Sequence, residues 1–188
     1  MCEMKKTLAL VLCLVLAFAM AGCGKDAVPT GGKLKDAPEL IVKTSNQTVT
    51  ALLGTRSWMY RVKGDAWRGL EADSFHPLDE SGRDIIPVLR YDTSSTTDHM
   101  KPKEAILLFG VAPDSVTVRC WDEEYWGYPE NDGKAESLPC DGPDFRIELK
   151  DSGAIYEVIA EWNSSSDYHG VARYSFYAAP VGAESEHQ

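Results

Sequence analysis

The 188-residue chain carries 29 acidic and 19 basic side chains, a formal net charge of −10 at pH 7, with 44% hydrophobic residues. A surface of that sign repels phosphate backbones and anionic head groups, which excludes nucleic-acid binding and a purely electrostatic contact with membranes. The length suits one domain with a proper core behind a short leader.

The opening residues, MCEMKKTLALVLCLVLAFAMAGCGKD, place Lys5 and Lys6 before an uncharged run from Thr7 to Gly22, and small residues before Cys23. That is the anatomy of a secretory signal peptide over residues 1–22, with Met4 as a second possible start. The apolar run is short for a membrane-spanning helix. Met20-Ala21-Gly22-Cys23 resembles a bacterial lipobox, although Met stands where Leu is usual. The resemblance implies cleavage before Cys23 and lipid attachment through its thiol. Two acyl chains anchor stably, because each buried methylene contributes about 0.8 kcal/mol and a single chain is marginal. The expected mature chain, with 17 basic and 28 acidic residues, is a palmitate-type lipoprotein on the extracytoplasmic face of the cell membrane.

Residues 24–38, GKDAVPTGGKLKDAP, are polar and without periodicity, so residues 23–38 read as a lipid-anchored flexible tether. A β-domain is expected over 39–180 and a disordered tail over 181–188. Leu40 to Lys43 and Thr48 to Leu53 flank a turn at Ser45-Asn46-Gln47. Ser57 to Lys63 alternates, with Trp58, Tyr60 and Val62 on one face, and Gly64-Asp65 turns the chain into Trp67 to Ala72. From Asp73 to Lys103 the chain is turn material around one run, IIPVLRY, which Pro87 demotes to an edge or irregular strand. Ala105 to Phe109 is continuously apolar, as in a strand buried on both faces. Val116, Val118 and Cys120 face opposite to Thr117, Arg119 and Trp121. Phe145, Ile147 and Leu149 form another apolar stripe, as do Tyr156 to Trp162 and Ala172 to Phe176 at alternate positions. No twelve-residue amphipathic helix appears, so the expected class is all-β, an antiparallel sandwich.

Asp151 to Val158, DSGAIYEV, resembles the tyrosine corner of immunoglobulin-like domains, in which a Tyr hydroxyl bonds back to nearby backbone. It departs by one extra residue between Asp151 and Tyr156, and by Val158 where antibody domains hold a cysteine. The sandwich is therefore expected to be immunoglobulin-like without the inter-sheet disulfide. The segments ALLGTRSWMY, EADSFHPLD, LLFGVAPDSVTVRCW, YEVIAEW and GVARYSFY, within residues 51–177, are similar to extracytoplasmic modules of Gram-positive bacteria. These occur as small lipoproteins and as the outward-facing tail of membrane antirepressor-peptidase sensors of the β-lactam-response type. The resemblance implies a sensory or binding role and assigns no catalytic residue or ligand.

Residue chemistry gives no catalytic site. His76, His99, His169 and His187 lack metal-ligand spacing, and Tyr128 to Gly133 lacks an oxygen ligand at the first position of an EF-hand loop, so no metal or other cofactor is expected. Asp73, Ser74 and His76 lie too close in sequence to assemble a triad and read as a turn, with Phe75 and Leu78 plugging into the core. Cys120 and Cys140 form an even pair in an exported chain, which predicts a disulfide closing a loop of about 21 residues and contributing roughly 3 kcal/mol. Within that loop Trp121, Tyr125, Trp126 and Tyr128 have two readings. They pack onto the sandwich, or they form a binding rim for wall glycan, an amine-bearing peptide stem or a basic patch on an envelope protein. The expected function is a membrane-anchored binding or sensory accessory module of the cell envelope. The alternatives are an envelope hydrolase using Asp and Glu side chains, and a purely structural spacer.

Overall fold

The structure is a computed structural model that describes residues 34–94, 100–140, 142 and 144–182. The expected signal peptide, Cys23, the tether as far as Lys33, His99 and the tail beyond Gly182 lie outside the described residues.

In chain order the strands are β1 (Leu40–Lys43), β2 (Thr48–Thr50), β3 (Leu52–Lys63), β4 (Ala66–Ala72), β5 (Val88–Tyr91) and β6 (Glu104–Phe109). There follow β7 (Ser115–Asp122), β8 (Glu136–Leu138), β9 (Arg146–Glu148), β10 (Ala154–Trp162) and β11 (Tyr168–Pro180). Helical structure among the described residues is confined to three 3-10 turns, at Glu80–Gly82, Glu123–Tyr125 and Pro129–Lys134, and no helix is long and apolar enough to cross a membrane.

Two sheets form. The smaller runs β2-β1-β6-β9 and the larger β4-β3-β11-β10-β7-β8, with β5 beside the end of β11. Every pairing is antiparallel except β5 with β11, where Val88 to Tyr91 lies parallel to Tyr177 to Pro180. Pro87 has no N–H to give a ladder, and its carbonyl accepts from Tyr177 at 3.0 Å as the chain enters β5. Gly64, with φ of 57°, supplies the left-handed residue that the tight β3–β4 turn needs.

Alternation decides which side chains meet between the sheets. Leu40, Val42, Ala105, Leu107 and Ile147 of the small sheet face Trp58, Val118, Cys120, Tyr156, Val158, Tyr174 and Phe176 of the large one. Chain segments on both sides of one packed core make this an all-β sandwich. Leu108 shows that the small sheet is not buried on both faces as its sequence suggests. It is 43% exposed, because no second layer covers that side among the described residues. The large sheet does carry a second layer. Trp121, Ile155, Tyr177 and Ala179 point away from the first core and meet Leu78, Ile86 and Trp126 in a second one.

The folded region begins earlier than its composition suggests. Trp58 donates its indole N–H to the carbonyl of Leu34 at 3.0 Å, and Tyr174 donates its hydroxyl to the carbonyl of Pro38 at 2.6 Å. Arg56 grips Asp36 through two bonds of 2.6 and 2.9 Å. Residues 34–38 are therefore part of the sandwich and not of a tether, because large side chains on β3 and β11 reach out to their backbone.

Candidate functional site

The segment from Trp121 to Ala135 does not form an aromatic rim. Alternation sends Trp121 to the outer face of the large sheet, where it is fully buried, and the 3-10 turn at Glu123–Tyr125 folds the chain back so that Trp126 is buried too. Tyr125 is half-buried against the same cluster, and only Tyr128, 55% exposed, faces water. The expected ligand-binding set thus separates into two core tryptophans, one packing tyrosine and one surface tyrosine.

What the aromatics meet is the other irregular segment, Asp73 to Pro87. Gly127, at φ of 91°, donates its N–H to the carbonyl of Leu78 at 2.7 Å, and an added Cβ there would sit 2.8 Å from the Glu80 carboxylate. The Arg83 guanidinium lies 5.3 Å over the Trp126 ring. His76 joins the layers: its Nδ1 accepts from the Leu78 N–H at 3.1 Å while its Nε2 meets Asp132 at 2.9 Å. With both ring nitrogens engaged, His76 has none left for Ser74, and the turn reading of ADSFHPLD stands. Beyond it, Arg119 links Asp132, at 3.0 Å, to Glu157, at 2.5 Å, and Arg173 holds the same buried Glu157 at 3.1 Å. Partial burial pushes the Asp132 carboxyl up, but its bond to His76 and the charge and bond of Arg119 outweigh this and hold it below the usual range. These contacts hold a second layer in place.

No disulfide joins Cys120 to Cys140. The β7–β8 ladder sets Glu136, not Cys140, opposite Cys120, and β8 ends at Leu138, two residues before Cys140. Cys120 is buried in the core, which pushes its thiol pKa up to about 11. No group of three or more His, Cys, Asp or Glu that could hold a metal ion occurs among the described residues.

The candidate binding site lies elsewhere. At one end of the sandwich, between the edge strands β8 and β9, a cleft of about 1080 Å³ opens. Leu138, Pro139, Ile147 and Leu149 supply its apolar lining, and charged groups of both signs surround them. Lys150 bridges Asp122 at 2.8 Å and Glu136 at 3.1 Å on one wall. On the other wall Arg146 meets Glu104 at 2.7 Å, and Lys103 meets Asp151 at 2.8 Å and Glu148 at 3.7 Å. Burial lowers the Lys150 pKa, but its bonds to the two carboxylates more than offset this and leave it above the ordinary value.

Two backbone features mark the same place. Lys103 and Phe145, at φ of 60° and 46°, are the described non-glycine residues in the left-handed region, and they lead into β6 and β9, the paired strands of one cleft wall. Such residues typically cost of order 1–3 kcal/mol each and gather at functional sites. Behind the cleft, Tyr156 accepts the Lys150 N–H at 2.9 Å and Tyr91 donates its hydroxyl to the Lys150 carbonyl, so two buried phenols fix the backbone of the lysine that spans the acidic pair. Burial, with the Asp151 charge behind it, pushes Tyr91 up to about 12.

The cleft is at the end of the sandwich remote from Leu34. β10 runs from Ala154, paired with Asp122 at the cleft, to Trp162, whose ring packs at 5.3 Å against the Trp58 that holds Leu34. Eight strand steps separate these ends by roughly 26 Å. The sequence reading missed the cleft, since its residues come from four strands and the turns between them. No family model, no curated protein and no solved structure matches this chain.

Proposed function

We propose that the protein is a lipid-anchored, extracytoplasmic binding or sensory accessory module of the cell envelope, built on an immunoglobulin-like sandwich, with the cleft as its binding site. The observation that carries this is the placement of the cleft. It lies between the edge strands β8 and β9, at the end of the sandwich remote from Leu34, with an apolar lining and charges of both signs around it. The resemblance read from the sequence segments within residues 51–177, to outward-facing tails of membrane sensors, points to the same role. The immunoglobulin-like assignment draws support from the Tyr156 hydroxyl, which bonds back to Lys150 as a tyrosine corner does.

The chemistry of the cleft weighs against the hydrolase alternative. Each carboxylate lining it, Glu104, Asp122, Glu136, Glu148 and Asp151, is already engaged by a lysine or arginine. A glycosidase needs two carboxyl groups free to flank the scissile bond.

The test uses the full chain in detergent and two variants. Cys23→Ala should move the protein from the membrane fraction to the soluble one, and unchanged membrane retention would sink the anchor. Immobilised full chain should retain material from solubilised envelopes, and Lys101→Glu at the cleft rim should reduce that retention. Retention indifferent to Lys101 would remove the cleft from the function.

A further inference from the structure

The charges of the cleft are paired unevenly. Lys150 is shared by two carboxylates, Asp122 and Glu136, and Lys103 by two more, Glu148 and Asp151, so each wall holds an excess of acid over base. Lys101, which also lines the cleft and is exposed, makes no ion pair among the described residues; its backbone N–H, not its ammonium, meets Glu104 at 3.2 Å. An occupant that satisfies this pattern needs a cation for a doubly acidic wall and an anion for Lys101. A polyanion would meet five carboxylates and a polycation would meet Lys101, Lys103, Arg146 and Lys150, so neither fits.

The lining also separates peptide from glycan. No aromatic side chain is among the described residues that line the cleft, so nothing there offers a face on which a sugar ring could stack. Its lips, by contrast, are two edge strands. Within the sheets β8 pairs only with β7, and β9 only with β6. An extended backbone laid between such edges can exchange hydrogen bonds with them, while Ile147, Leu149, Leu138 and Pro139 accept its apolar side chains. The cleft of about 1080 Å³ is slightly larger than most ligand pockets, with room for several residues of chain.

We propose that the cleft binds a short, extended peptide carrying both an ammonium and a carboxylate, with the carboxylate on Lys101 and the ammonium between paired acids of one wall. This rests on the reading of the protein as a binding module.

Calorimetry with the full chain in detergent tests it, using a tetrapeptide of one lysine and three alanines with free termini, the same peptide amidated at its C-terminus, an acetylated and amidated tetra-alanine, and chitotetraose. The free peptide should bind saturably and more weakly as salt rises. Amidation should weaken binding about fivefold, as should Lys101→Glu with the free peptide, and capped tetra-alanine should bind more weakly still. Lys101→Glu should make little further difference to the amidated peptide, because the carboxylate it would meet is already gone. Lys101 is exposed and its ammonium is unpaired among the described residues, so the substitution should leave the melting temperature in place. Equal effects of Lys101→Glu on both peptides would overturn the assignment of the carboxylate. Binding of chitotetraose without binding of the peptide would overturn the peptide and leave the binding module standing. Failure of both probes overturns the peptide alone if envelope capture still depends on Lys101, and both readings if it does not.

Discussion

Trp126 lies between Tyr177, with ring centroids 5.2 Å apart, and the Arg83 guanidinium, and is only 6% exposed. Its burial gives it a structural role, and the prediction is correspondingly sharp. Trp126→Ala should destabilise the protein by about 3–5 kcal/mol, the range for deleting a buried aromatic, whereas Tyr128→Ala should change stability by less than about 0.5 kcal/mol. Urea unfolding of the two variants checks this, and similar small losses in both would show Trp126 to be peripheral. The face of Trp121 was legible in the sequence, since alternation from Val116 sets it opposite Cys120. That a second layer waits on that face was not, because Asp73 to Pro87 and Asp122 to Ala135 have no period, and side-chain chemistry alone does not say which irregular segments meet. The same reasoning explains the disulfide. Two cysteines in an exported chain suggest a bond, but only the β7–β8 register shows that Glu136, and not Cys140, stands across from Cys120.

Among the elements, the long strands were the most legible. β10 and β11 show strict alternation, and their inner faces, Tyr156 to Trp162 and Ala172 to Phe176 at alternate positions, enter the core as the pattern requires. β11 extends further at both ends than its pattern, from Tyr168 to Pro180, because β3 and then β5 pair with it in succession along one side. The segment Leu34 to Pro38 was the least legible. Its sequence is polar and Pro-containing like any linker, and what fixes it lies twenty or more residues away on β3 and β11. A chain beginning at Glu39 would leave the Trp58 indole and the Tyr174 hydroxyl without their carbonyl partners and Arg56 without Asp36. Each buried polar group so orphaned costs about 1–3 kcal/mol, so such a chain should be roughly 2–5 kcal/mol less stable than one beginning at Lys33. Equal urea midpoints for the two chains would show that the docked segment contributes nothing. The cleft was illegible for a related reason. Glu104 faces Glu148 and Cys120 faces Glu136 only through register, and no spacing in the sequence brings Lys150 beside both Asp122 and Glu136.

At the scale of the whole molecule, an acidic chain with a net charge of −10 is held together on its outer face by a network of hydrogen bonds and ion pairs. His76, Asp132, Arg119, Glu157 and Arg173 run from the covering layer across β7, β10 and β11. Asp132 is the member that joins layer to sheet, and its response to acid follows from the direction of its shift. Its folded pKa lies below the unfolded value of 3.8, so the unfolded chain takes up the proton first as pH falls. The stability it provides is therefore fully present above about pH 5 and is lost progressively below about pH 4, as pH falls through the depressed folded value. Half-exposure of its side chain screens the interaction, so the loss should be smaller in high salt. Asp114 is shifted the same way, by its bonds to the Ser164 side chain and to the Asn163 and Ser164 backbone, so a residual acid slope should persist when Asp132 is removed. Asp132→Asn should accordingly lower the urea midpoint at pH 7 and flatten, without abolishing, the fall in midpoint between about pH 4 and pH 3. A variant with the parent's acid slope would mean that the covering layer is held by its apolar contacts alone, with Trp121, Trp126 and Leu78 sufficient and the ion pairs incidental.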